Sequence, residues 1–257
     1  MAHEKIELSP IGYFRSSQVH PYEAGRQPDS HHANGVIELL TGQNFEQALE
    51  GLSGCKKIWV VFAFHRNEHW NPMVLPPRGR NTKIGVFATR SPYRPNPVGI
   101  SCVDVVSINK LSIEVAGADI LDGSPIIDIK PYVAYADSFP GVEPDWLKEA
   151  EKFDIEFSEV ALESLDWLES RGVDQLRSFL QHQLEYEPTN SKKKRVKTLD
   201  DGRFVLAYRT WRGVFTLEDR TVKITAIESG YSDADLANPV DTYQDKELHR
   251  EFKNLNK

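Results

Sequence analysis

The chain has 257 residues, 40% of them hydrophobic and 10% aromatic, with a formal net charge of −7. No apolar run approaches the ~20 residues of a membrane span, and the start, "MAHEKIELSP", lacks the apolar core of a signal peptide. The acidic balance argues against general nucleic-acid binding, and two cysteines in apolar contexts, Cys55 and Cys102, read as reduced thiols of a cytoplasmic protein.

In chain order, short β-type runs dominate the first half. The stretches 35–40, 56–64, 82–89, 98–108, 111–121 and 124–133 are rich in Val, Ile and aromatics, separated by Gly, Pro, Asn and Asp. One short helix is predicted in "NFEQALEG", with Asn44 as cap, Gln47 reaching back in a capping box, and Gly51 as the stop. Around Asn109-Lys110 a tight hairpin connects two runs of similar length. Many short strands with few helices predict a barrel or a sandwich rather than a doubly wound sheet.

Near Asp137 the character changes. "SFPGVEPDW" is a Pro/Gly connection and "FDIEFS" one more alternating strand. Two helices are expected next. The first buries Ala161, Leu165 and Leu168, capped by Ser158 and stopped by Gly172, and the second repeats Val173, Leu176, Leu180 and Leu184. "SKKKRVK" (191–197) is a basic loop, residues 203–231 alternate like two or three antiparallel strands, and the tail from Ser232 reads as polar and peripheral. The chain is therefore divided into domains 1–137 and 138–257.

Several stretches carry chemistry. In "GVFATRSPYRPNPVGIS", Pro92, Pro95 and Pro97 stiffen a connection that also holds Arg90, Arg94 and Asn96. No acidic residue lies between Glu68 and Asp104, although Asp and Glu make up 38 of the 257 residues, so this segment is suited to face an anion. "FHRNEHW" suggests a zinc site on His65 and His69, but the order is not H-E-x-x-H, and His31-His32 is a poor source of a third ligand. A strand end facing a ligand is the better use of His65 and Arg66, and no metal is expected. "ILDGSPIIDIKPY" makes a turn at Asp122-Gly123, stiffened by Pro125. The strand after it sets Asp128, Lys130 and Tyr132 on one alternating face, either a substrate-polarising row or a plain solvated face. Walker A, G-x-G-x-x-G and serine-elbow patterns are absent.

Taken together, "GRQP", "ANG", "WVVFAFH", "PPRG", "GVFATRSPYRPNPVGIS", "DILDGSPIIDIKPY" and "YRTWRGVF" resemble the YaeB/TrmO-like tRNA methyltransferases, from about Ile11 to about Tyr231. The resemblance implies a mainly β protein: an antiparallel β-barrel N-terminal domain that binds S-adenosylmethionine, with a smaller α+β C-terminal domain for RNA or dimer contacts. It implies a homodimer that methylates N6 of threonylcarbamoyladenosine beside the anticodon of threonine tRNA. Carried over by motif, the cofactor positions are Gln27, Pro28, Asp29, His65, Arg66, Arg90 and Cys102, then Asp122, Gly123, Ser124 and Pro125. Arg94 and Asn96 are expected on the substrate, and Asp128, Lys130 and Tyr132 as the catalytic group: a base, a hold on the threonyl carboxylate, and an orienting ring. The basic loop is expected to add electrostatic tRNA affinity. One departure is Gly25, where the family more often has Pro. Against this enzyme stand a non-catalytic barrel that binds the cofactor or RNA, and a metal-dependent hydrolase built on His65, Glu68 and His69.

Overall fold

Alternation along β3 (Lys57–Ala63) turns Ile58, Val60 and Phe62 to one face, each at most 4% exposed, and leaves Trp59 and Val61 on the other. A strand with one dry face needs a sheet that closes over it. A computed structural model, describing residues 6–21, 34–148 and 150–255, shows that closure. β1 (Gly12–Arg15), β2 (Gly35–Leu39), β6 (Val98–Asn109), β7 (Ser112–Ala116) and β8 (Pro125–Pro131) join β3 in a closed barrel of order β1-β2-β7-β6-β3-β8. All of its pairings are antiparallel. The interior is filled by Phe14, Ile37, Val103, Ile113, Val115 and Ile126 with the three β3 side chains. No edge is left open.

Two close approaches depend on glycine. A Cβ on Gly99 of β6 would lie 2.5 Å from the Phe62 ring, and one on Gly35 of β2 would lie 2.1 Å from the Phe14 ring. The barrel closes this tightly because both positions lack a side chain.

The strand predicted over 82–89 is not one. Between β3 and β6 lie only two short strands, β4 (Met73–Val74) paired with β5 (Ile84–Gly85), and then a 3-10 turn over Val86–Ala88. Thr89 Oγ1 donates to Val86 O at 2.9 Å and closes that turn, a local side-chain bond that outcompetes the β-type composition. The predicted capping box on α1 (Phe45–Ala48) does not form either. Asn44 takes φ 60°, and its Nδ2 donates to Gln47 Oε1 at 2.8 Å instead of capping the backbone.

The chain separates into two compact units, 1–148 and 149–257. The segment that follows β8, with α2 (Ala134–Asp137) and α3 (Asp145–Lys148), is held to the barrel. Trp59 Nε1 donates to Asp137 Oδ2 at 3.0 Å, and Trp146 Nε1 donates to Ala88 O at 3.0 Å.

In the second unit, β10 (Val196–Thr198), β11 (Phe204–Tyr208), β12 (Trp211–Glu218) and β13 (Thr221–Ser229) form an antiparallel run. β9 (Asp154–Phe157) joins its edge in parallel with β13. α4 (Glu159–Glu169), capped by Ser158, and α5 (Leu176–Leu184) bury Leu165, Leu168, Leu176, Leu180 and Leu184 against this sheet, on the predicted faces.

The tail is not peripheral. After α6 (Asp233–Ala237), α7 (Lys246–Leu255) buries Phe252, 3% exposed, and His249, fully buried. Trp211 stacks on His249 with centroids 3.7 Å apart, and the imidazole lies 2.7 Å from Ser229 Oγ and 3.0 Å from Thr210 Oγ1. Phe252, the partly buried Leu248 and one satisfied imidazole form the docking face of this helix, whose strongly polar overall composition masks that face in the sequence.

Candidate active site

β3 ends at Ala63 where β6 and β8 begin, so three connections meet at one end of the barrel. His65 follows β3, and Asp122-Gly123-Ser124 leads into β8. Ser124 Oγ lies 3.3 Å from His65 Nδ1, joining two motifs 59 residues apart. Gly123 takes φ +74°, which makes the turn tight, and its N–H donates to Phe14 O at 2.8 Å. Asp122 is fixed from both sides: its N–H donates to Gln18 O at 2.9 Å, and its Oδ1 accepts from Ser16 N at 3.1 Å. Beside it, Gln18 is 3% exposed and its Oε1 is a buried acceptor with no donor among the described residues. Burial and the neighbouring Arg66 charge lower the His65 pKa, against a smaller pull upward from Asp122, so the ring favours its neutral form.

A second group lies on the outer face of the barrel. The register sets Cys102 of β6 and Lys130 of β8 on either side of Trp59, and Ile100 and Asp128 on either side of Val61. A register shift between Val61 and Phe62 leaves Ile127 as an extra residue in β8, which returns Ile126 to the interior while Asp128 faces out. Asp128 and Lys130 form an ion pair at 2.7 Å, and Asp128 Oδ1 also accepts from Ile129 N at 2.9 Å. Tyr132 packs near Trp59, with ring centroids 6.0 Å apart. Burial raises the Cys102 thiol pKa above its usual range, against the lowering charge of Lys57.

Arg90 belongs to the connection before β6, is exposed, and its charge acts on both Cys102 and Asp119. Asn96 is exposed as well, and its carbonyl accepts from Val98 N at 2.7 Å. Arg94, expected on the substrate, has its Nη1 donating to Val86 O at 3.2 Å and Thr89 O at 2.8 Å. Gln27, Pro28 and Asp29, with His31-His32, lie outside the described residues. Among the described residues no three His, Cys, Asp or Glu side chains gather as metal ligands, and no helix is long and apolar enough to cross a membrane.

The sequence reading passed over Asp119. Ser101 Oγ donates to its Oδ1 at 2.6 Å. Ser101 lies three residues before Asp104 and Asp119 three after Ala116, so the pair continues the Asp104–Ala116 register beyond β7. Burial pushes the Asp119 carboxyl up to about 6, although the Ser101 hydroxyl and the Arg90 charge hold it down. The available signal was a lone acid between Ala118 and Ile120, both at most 1% exposed. The basic loop also contributes less free charge than its composition implies. Lys193, 8% exposed, pairs with Glu187 at 2.8 Å, and Lys194 Nζ donates to Gln183 O and Tyr186 O.

Fold and site together define a closed β-barrel with polar and charged groups on the connections at one end and on the adjoining outer face. Residues 13–138 match the family described as tRNA-methyltransferase O N-terminal domain. The Escherichia coli (strain K12) tRNA (adenine(37)-N6)-methyltransferase is 32% identical over 203 residues, covering 75% of this chain and 86% of that protein. A "Probable S-adenosyl-L-methionine-binding protein" from Archaeoglobus fulgidus is 32% identical over 145 residues, 56% of this chain and 39% of that one. The crystal structure of TrmO from Pseudomonas aeruginosa superposes with a TM-score of 0.63 at 26% identity, covering 88% of this chain and 99% of that one. The chain belongs to the TrmO family.

Proposed function

We propose that the protein transfers a methyl group from S-adenosylmethionine to N6 of an adenine in tRNA, and that this adenine is threonylcarbamoyladenosine beside the anticodon of threonine tRNA. The first part rests on the family. The second rests on a chemical match: Lys130 on the outer face suits the threonyl carboxylate, a group that unmodified adenosine lacks. The observation that carries the reading is the junction of His65 with the Asp122–Ser124 turn.

The donor set fits the cofactor. Arg90 suits its carboxylate, Asp122 suits an ammonium or ribose hydroxyls, and Gln18 Oε1 is a buried acceptor in want of a donor. Val98 and Ile100, 37% and 47% exposed on the outer face, suit a flat ring. Bound there, S-adenosylmethionine supplies an electrophilic methyl carbon. For N6 to accept that methyl group, its proton would have to leave.

Carbamoylation delocalises the N6 lone pair, so positioning and proton removal supply the rate. Asp128 is the proposed acceptor. Its pair with Lys130 has both side chains about half or more exposed, and such a pair is held by only about 0–1 kcal/mol. A threonyl carboxylate drawn to Lys130 therefore releases Asp128 at little cost. Tyr132, against Trp59, orients the base.

The test is mass analysis of nucleosides from threonine tRNA, taken from a strain lacking this protein and incubated with purified enzyme and S-adenosylmethionine. A gain of one methyl on threonylcarbamoyladenosine is expected. Methylation of unmodified adenosine alone would remove the substrate assignment, and cofactor binding without methyl transfer would favour the non-catalytic barrel. Within this assay Asp128→Asn should slow single-turnover methylation by about a hundredfold or more with both ligands still bound. A rate within a few-fold of wild type would leave Asp128 as scaffolding.

A further inference from the structure

The connection between β3 and β6 is an arch that uses its own side chains to stay rigid. Arg94 and Thr89 both bond to Val86 O, and Asn67 Nδ2 donates to Pro92 O at 2.7 Å. Asn71 N donates to Tyr93 O at 3.1 Å, and Trp146 holds Ala88 O. The bonded carbonyls of Val86 and Ala88 flank Phe87 on either side. Its neighbour Val86 is 2% exposed, yet the Phe87 ring is 77% exposed, with the Arg94 guanidinium carbon 5.7 Å from its centroid. Tyr93 and Trp70 on the same arch are 45% and 53% exposed. A flexible loop would fold such rings away from water, whereas this turn holds them in it.

We propose that the arch is a base-stacking platform: Phe87, with Tyr93 exposed on the same arch, takes an unpaired base from the single-stranded loop of the substrate RNA. Arg94 is then a positioning residue that holds Phe87, not a phosphate contact. The inference rests on the reading of the protein as a tRNA methyltransferase. Charge selects RNA over a second copy of the chain as the occupant. Residues 69–103 contain no acid and include Arg78, Arg80, Lys83 and Arg90. Two copies meeting through the arch would oppose like charges across a twofold axis, whereas a polyanion is complementary. Aromatic rings set among cations are what single-stranded nucleic acid binds, through the π-face that every base has.

The experiment compares the full-length protein with Phe87→Ala and Phe87→Trp, measuring affinity for threonine tRNA at several salt concentrations and mass by sedimentation. Phe87→Ala should weaken tRNA binding about tenfold, with cofactor binding and mass unchanged. Its salt slope should match wild type, because no cation is lost. Phe87→Trp should retain affinity. Phe87→Ala within twofold of wild type overturns the proposal. So does a loss of affinity accompanied by a change in mass, which would assign the ring to a subunit contact. Wild-type protein that fails to bind tRNA at all defeats both this proposal and the reading beneath it, and that outcome is visible before any variant is made.

Discussion

Asp119→Asn is the sharpest test of how the barrel mouth is built. The substitution keeps the shape of the side chain and the acceptor for Ser101 Oγ, and removes only the charge. In the folded protein the carboxyl is raised from 3.8 to about 6, first by burial and against the pull of Ser101 and Arg90. A folded pKa above the unfolded one means that the stabilising contribution is complete below about 3.8 and is lost as pH rises through about 6. Two pKa units correspond to about 3 kcal/mol, a ceiling here because the side chain is not fully sealed from water. Asp119→Asn removes this titration, so the variant barrel should match or exceed wild type at pH 8, by up to about 3 kcal/mol, and lose that advantage near pH 4. The direct measurement is the Asp119 carboxyl carbon resonance, with a titration midpoint expected near 6. Urea unfolding followed at barrel amides gives the stability arm, and a whole-chain transition is avoided because the chain has two units. A midpoint below about 4.5, or a variant clearly less stable than wild type at pH 8, would refute the reasoning.

Arg90→Ala should weaken S-adenosylmethionine binding by roughly 1.5–3 kcal/mol, the scale of a charge-assisted hydrogen bond, and calorimetry showing unchanged affinity would reject the assignment. Phe252→Ala should destabilise the C-terminal unit by about 3–5 kcal/mol, read from unfolding followed by Trp167 and Trp211, whose rings lie 5.6 Å and 5.1 Å from Phe252. A cost below about 1 kcal/mol would return the tail to a peripheral role.

Local sequence determined much of this protein. The apolar alternation of β3, the hairpin joining β6 to β7, the Ser158 cap and leucine face of α4, and the glycine turn at Asp122-Gly123 all depend on neighbours close in the chain. Periodicity and turn chemistry report such contacts directly. What the tertiary structure alone decided are the cases where a distant partner outweighs local preference. β1, only four residues long, is a strand because it closes the ring between β2 and β8, and β9 runs parallel because its partner at the sheet edge is β13, a strand distant in the chain. α7 is a core helix because Trp211, Ser229 and Thr210 receive its single imidazole. Arg94 Nη1 and Lys194 Nζ donate to backbone carbonyls that folding brings within reach, contacts the sequence does not show. Asp119 was an ordinary acid until the barrel set Ser101 against it and removed its water, since a group's charge state depends on its surroundings and not on its identity.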